Sequence, residues 1–176
     1  MMLTLAIVSV IAMNKSPLLK SDTGTYLLVM QCNEEQIVEV GAQGTVVLQS
    51  GVYLYAGSAF GPGGIAARVR RHARTDHAQH WHIDYIRPHC TLQGAWVSYA
   101  DTKLECTWAR ALLDTNSTSV PKKGLGSSDC GCWAHFMRWE AEGKVSYRTV
   151  RQQIEAVLQE ACPDATPVWV ETSQTT

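Results

Sequence analysis

The chain has 176 residues, of which 45% are hydrophobic and 18% charged. That balance excludes a disordered or low-complexity chain and is enough for the buried core of one domain with an appendage. Lys plus Arg number 15 against 16 Asp plus Glu, which excludes polyanion binding by overall charge and leaves only a local basic patch to do it.

Residues 1–21 read as a tail. The apolar run Leu3 to Met13 is about half of what spans a bilayer. It lacks the positive flank and small-residue cleavage site of a secretory signal. A translation start at Met13 and a disordered or surface-bound tail both fit. Cys32, Cys90, Cys106, Cys130, Cys132 and Cys162 are too scattered for a dense disulfide scaffold. The expected compartment is the reducing cytoplasm.

"GTYLLVMQC", Gly24 to Cys32, predicts a strand by its β-branched and aromatic content. "QIVEV" and "TVVLQ" predict two more around the turn "GAQG", and "GVYLYAG" a fourth. Together they suggest an antiparallel meander. "GSAFGPGG" follows. It lacks the Lys-Ser/Thr ending of a P-loop and no βαβ unit surrounds it. A phosphate cradle at a helix start and a plain tight connection both remain open. A helix begins after Gly64, with Ile65, Ala66, Val69 and Ala73 as its apolar stripe. Residues 68 to 74 hold four arginines. Arg68 and His72, four apart, share one face; Arg70, Arg71 and Arg74 spread around the rest.

"HWHIDYI" is ambiguous. As a strand it puts His80, His82 and Asp84 on one face as a two-His, one-carboxylate set. As a helix that grouping dissolves. "TLQGAWVSY" predicts a strand. "DTKLECTWARALLD" predicts a helix whose Thr102 and Glu105 have capping-box spacing. A loop runs from Asp114 to Ser128, followed by the cluster "SDCGCWAH". "SYRTVRQQIEAVLQEA" predicts an amphipathic helix with Val150, Ile154, Val157 and Leu158 on one stripe. The final "ETSQTT" is expected to be disordered. The fold class is α+β: a small mixed or antiparallel sheet flanked by helices, with a domain over 22–140 and a helical appendage over 141–176.

Several residues carry candidate chemistry. Tyr53 and Tyr55 share a strand face, although tyrosines in strands usually pack. Arg68 beside His72 suits a phosphate, Arg offering a planar fork of donors. Glu105 could hold a Mg²⁺ that keeps most of its waters, or only complete the capping box. Cys106, Cys130, Cys132 and His135 could bind a structural zinc, but C-x-C-x-x-H is not a strong zinc spacing and free buried cysteines fit as well. Cys130 as a nucleophile paired with His135 is a further reading.

The order of these features resembles the GIY-YIG nuclease superfamily, and more closely its DUF123 or Uri-type branch, sometimes fused to endonuclease III. "GTYLLV", "YLYAGSAFGPGGIAARVRRH", "HWHIDY", "LECTWARAL" and "GSSDCGCWAH" carry the resemblance, which covers roughly Gly24 to Trp139. It makes Tyr26 the tyrosine of the first motif, Tyr55 the first tyrosine of the second, and Gly57 that motif's last residue. Arg68 and His72 become the helix arginine and the histidine after it, and Glu105 the metal ligand. Thr25 and Ala56 stand where the motifs carry isoleucine. The late asparagine of many members has no match, since Asn116 lies in a loop.

The resemblance implies a GIY-YIG-like fold and an endonuclease that uses Mg²⁺ or Mn²⁺ on DNA rather than RNA. Tyr26 would act as base, its pKa pulled down by Arg68 and the metal. Tyr55 would position water, Arg68 would stabilise the phosphoryl oxygens, and His72 would relay a proton or hold Tyr55. Arg70, Arg71, Arg74, Gly57 and Ser58 would contact neighbouring phosphates. No sequence-reading module is visible, so cutting is expected to follow nucleic-acid structure or a DNA-repair partner. No membrane association is expected. The alternative is a non-catalytic nucleic-acid-binding module with a structural zinc.

Overall fold

The computed structural model describes residues 18–140 and 146–171. Residues 1–17 of the expected tail over 1–21, the start of the appendage and the last five residues of "ETSQTT" lie outside them.

Among the described residues, eight strands form two antiparallel sheets. The main sheet contains β1 (Gly24–Cys32), β4 (Gly51–Ala59), β5 (Thr91–Ser98), β6 (Thr118–Ser119), β7 (Phe136–Trp139) and β8 (Val168–Glu171), in the order β6-β7-β4-β1-β5-β8. The hairpin of β2 (Gln36–Glu39) and β3 (Thr45–Leu48) makes a separate two-stranded sheet. The simple meander expected from the sequence is therefore corrected. Both edges of β1 are taken, by β4 and β5, so the hairpin between β1 and β4 has no edge of β1 to join.

The described residues form four α-helices, α1 (Gly64–Ala73), α2 (His82–Ile86), α3 (Glu105–Leu113) and α4 (Tyr147–Ala161). They cover both faces of the sheet, which explains why β1 is apolar almost throughout. Tyr26, Leu28 and Met30 face a core with Ile65 and Val69 of α1, Ile83 and Ile86 of α2, and Val38, Val46 and Leu48 of the hairpin. Leu27 and Val29 face a second core with Trp108 and Leu112 of α3 and Ile154 and Leu158 of α4. The two-residue alternation of a strand thus sorts neighbouring residues into different cores.

The C-terminal segment, read as an appendage, supplies β8 to the sheet, where Trp169 pairs with Trp96. Its helix α4 carries the expected stripe of Val150, Ile154 and Leu158 into the second core, with Val157 packed against it. Ser146 caps α4 by accepting from the Thr149 N–H at 3.2 Å.

The glycine-rich connection before α1 resolves as a tight turn. The Ile65 and Ala66 N–H groups, which a phosphate would need, donate to the carbonyls of Asp22 and Lys20 at 2.9 and 3.0 Å.

Candidate active site

Two tyrosines start the site. In the β1–β4 register Tyr26 lies opposite Gly57, and Tyr55 opposite Leu28. The two rings are therefore diagonal neighbours on one face, with centroids 6.4 Å apart. Gly57 makes room for Tyr26: a Cβ at residue 57 would come within 2.5 Å of the tyrosine hydroxyl. The second motif's glycine and the first motif's tyrosine are thus two halves of one contact.

Helix α1 lays His72 against both rings, with centroids 5.5 Å from Tyr26 and 6.0 Å from Tyr55. The Tyr26 hydroxyl and His72 Nε2 are 3.0 Å apart. Burial holds His72 neutral, its pKa lowered to about 3, and Arg71 and Arg68 add to the effect against the opposing pull of Asp84. Burial also raises the Tyr26 pKa well above its ordinary value, with Tyr55 adding and Arg68 and Arg71 opposing. The expectation of a lowered Tyr26 pKa is therefore corrected for the chain by itself: desolvation of the phenolate outweighs the two guanidiniums. Tyr55 is raised too, by burial first.

Arg68 lines the cleft below these rings, its guanidinium 4.4 Å from the Trp81 ring centroid. Arg71 is committed elsewhere. It grips the buried Asp84 carboxylate at 2.7 and 2.9 Å. Asp84 also accepts from the N–H groups of His80 and Trp81, both at 2.9 Å. Burial alone would raise the Asp84 pKa, but the hydrogen bonds from Arg71, Trp81 and His80 hold it at about 2. The two-His, one-carboxylate reading is overturned, because α2 begins at His82 and turns Asp84 back toward α1.

Glu105 arrives from the other side of the sheet. It is the first residue of α3, and Leu104 before it has no side-chain cap. The expected capping box with Thr102 is absent, because the helix starts two residues later than that spacing requires. Instead the Thr25 Oγ1 accepts from the Leu104 N–H at 2.9 Å. Thr25, in the isoleucine position of the first motif, thereby ties the start of α3 to β1 and sets Glu105 near Tyr26. The Glu105 Oε2 is buried with no hydrogen-bond partner.

The cysteine cluster forms the adjoining wall. The ligand atoms of Cys106, Cys130, Cys132 and His135 all lie within 4.8 Å of one another. The His135 Nε2 is 3.6 Å from the Cys106 Sγ and 3.5 Å from the Cys130 Sγ. Its backbone carbonyl accepts from the Ala56 N–H on β4 at 3.0 Å, which anchors the loop. Burial lowers the His135 pKa. Burial and the neighbouring Cys132 and Cys130 thiols push Cys106 up to about 12. Three thiols and a neutral imidazole suit a zinc ion.

These walls enclose a cleft of about 500 Å³ lined by Tyr26, Tyr55, Gly57, Ser58, Arg68, Glu105, Cys130 and His135, among others. Arg70, Arg71, Arg74 and His72 do not line it. Arg70 is exposed, Arg71 holds Asp84, and Arg74 pairs with Asp76 at 2.9 Å on the surface.

A family model described as "Domain of unknown function DUF123" matches residues 25–159. The chain belongs to the DUF123 family, which is GIY-YIG-like. Neither the curated proteins nor the solved structures give a match. The DUF123 match runs from β1 into α4, so it takes in the helix read as part of an appendage. Within the DUF123 cleft, Trp81, His82, Lys103, Ser128 and Asp129 also line the wall. Sequence reasoning did not assign them roles there. For His82 the block "HWHIDY" was the available signal, but only the helical form of α2 shows which of its side chains reaches the cleft.

Proposed function

We propose that this DUF123 chain is a metal-dependent endonuclease of the GIY-YIG type, in the Uri-type branch, that hydrolyses phosphodiester bonds in DNA ahead of RNA. The observation that carries this reading is the convergence of Tyr26, Tyr55, Arg68 and Glu105, from four elements, on one cleft. Arg68 would neutralise the phosphate oxygens as charge develops. Tyr26 would take a proton from the attacking water while passing its own to His72 Nε2. His72 is a weak base in the free chain, and an anionic phosphate bound in the adjoining cleft would raise its proton affinity. Tyr55 would orient the water.

Glu105 fits a divalent cation, because its Oε2 is buried and unpartnered. Mg²⁺ or Mn²⁺ held there would supply charge neutralisation at the leaving oxygen. Specificity would come from nucleic-acid structure or a DNA-repair partner, and the working compartment would be the cytoplasm. Among the described residues no helix is long and apolar enough to cross a membrane.

A second reading is a non-catalytic nucleic-acid-binding module with a structural zinc. It is favoured by the compact grouping of Cys106, Cys130, Cys132 and His135. A panel of labelled DNA and RNA structures, incubated with Mg²⁺ and Mn²⁺, separates the two. Cutting by the wild type and not by Glu105→Ala supports the nuclease; binding without cutting by both sinks it.

A further inference from the structure

His82 has a place in the cleft that neither reading uses. It opens α2 and is half-buried, and its ring lines the cleft. Its Nδ1 lies 3.1 Å from the Gly126 backbone nitrogen, which donates to it. A backbone N–H can only donate, so Nδ1 must carry the lone pair and Nε2 the proton. The tautomer is therefore fixed by the main chain. Burial lowers the His82 pKa as well. An imidazolium would set an Nδ1–H against the Gly126 N–H, which reinforces the neutral form.

The other end of the ring is free. No described protein group hydrogen-bonds the His82 Nε2, and it is not among the sealed, unpartnered atoms. Its mounting is rigid. Asp84, two residues on, takes the N–H groups of His80 and Trp81 and the Arg71 guanidinium. Gly126 has φ of 75° and sits so close to Tyr55 that a Cβ there would come within 2.7 Å of the ring. His82, Gly126 and Tyr55 thus form one packed unit. Two cations, Arg68 and Lys103, line the same cleft, and Arg68 stacks on the ring of Trp81, next to His82 in the chain.

We propose that the His82 Nε2–H is a substrate-binding donor to a non-bridging phosphate oxygen in this cleft, acting beside Arg68. It gives a hydrogen bond and keeps its proton, so no acid step passes through it. A neutral donor of this kind stabilises developing charge without depending on pH near neutrality. The catalytic effect rests on the nuclease reading; the phosphate contact does not.

Two variants of the full chain separate this role from simple support of the Gly126 loop. In His82→Asn the amide oxygen can still accept from Gly126, but the donor no longer reaches the cleft. In His82→Gln the longer amide restores a donor. His82→Asn is expected to keep the wild-type Tm and lose cleavage about 100-fold in kcat, and His82→Gln to recover part of it. A His82→Asn protein that cuts at the wild-type rate overturns the proposal. Imidazole ¹⁵N NMR supplies an independent arm. His82 is expected to be neutral and Nε2-protonated from pH 7 to 8, with Nε2 shifting when a non-cleavable phosphorothioate oligonucleotide is added. An Nδ1–H tautomer, an imidazolium at pH 7, or an Nε2 signal unmoved by the oligonucleotide overturns it. If the wild type cuts nothing, the nuclease reading fails and the NMR arm alone decides this one.

Discussion

The Tyr26 hydroxyl and the His72 Nε2 meet at 3.0 Å, with both residues buried. The strand tyrosine and the helix histidine are 46 positions apart. The His72 Nδ1 on the far side has no partner, so the imidazole is held mainly by packing and by this one bond. The burial of this pair has consequences that solution experiments can read.

The first concerns pH. His72 has its folded pKa lowered to about 3, below the ordinary histidine value of 6.5. Below pH 6.5 the unfolded chain binds a proton that the folded chain refuses. Stability therefore falls as pH drops from about 6.5 toward 3, by up to about 1.4 kcal/mol per pH unit from this group. His72→Gln cannot titrate and should flatten that slope. Denaturant unfolding of both proteins between pH 4 and 7 measures the difference, and equal slopes would contradict the buried neutral histidine. Asp84, held at about 2, acts only below its unfolded value near 3.8, while His82 and His135, also lowered by burial, add to the slope of both proteins and drop out of the difference.

Asp84 itself should be a structural keystone. Its side chain is 1% exposed and binds Arg71 and two backbone N–H groups. Asp84→Ala strands all three donors and is expected to cost about 3 kcal/mol of stability, with loss of any activity in the cleft. Thermal melts of the variant test this; a change under 1 kcal/mol (roughly the worth of an exposed ion pair) would show that the contact is weak.

Gly57→Ala should destabilise by about 1–3 kcal/mol through overpacking, because its Cβ meets the Tyr26 ring. If the glycine served only as a phosphate contact, stability would stay unchanged while nucleic-acid affinity fell. Calorimetry and a binding titration distinguish the two.

Glu105→Gln should abolish metal-stimulated cleavage while leaving stability within about 0.5 kcal/mol, the range of substitutions that break no network. Its buried Oε2 has no hydrogen bond to lose. Retained Mg²⁺-dependent cutting would remove Glu105 from the proposed mechanism.

Elemental analysis of the purified chain should find one zinc per molecule, bound by Cys106, Cys130, Cys132 and His135. Cys130→Ser should lower that occupancy. Because thiols must lose protons to bind, affinity should fall as pH falls. Substoichiometric zinc in a protein purified without chelator would count against the site.

How much of this was legible beforehand differs by element. The strand Gly24–Cys32, the helix after Gly64 and the stripe on α4 follow from local periodicity, and each formed as read. Thr102 and Glu105 had the spacing of a capping box, yet Thr25 captured the Leu104 N–H from another strand; spacing along a chain cannot see a competitor from elsewhere in the fold. Arg71 reads in the sequence as one of five phosphate contacts, but Asp84 claims it. His80, His82 and Asp84 could be grouped only by choosing strand or helix for a short apolar-polar run, and periodicity does not decide that over so few residues.

The sequence by itself determined the elements and the residue types available to the site, because hydrophobic period, turn residues and side-chain chemistry are local properties. Only the tertiary structure decided which of those side chains meet. The β1–β4 register set Tyr26 against Gly57 and Tyr55 two positions along. Packing of α1 and α3 on opposite faces then brought Arg68 and Glu105 to the same cleft. Buried hydrogen bonds selected the rest: a desolvated carboxylate or amide takes the partner that satisfies it, wherever in the chain that partner lies.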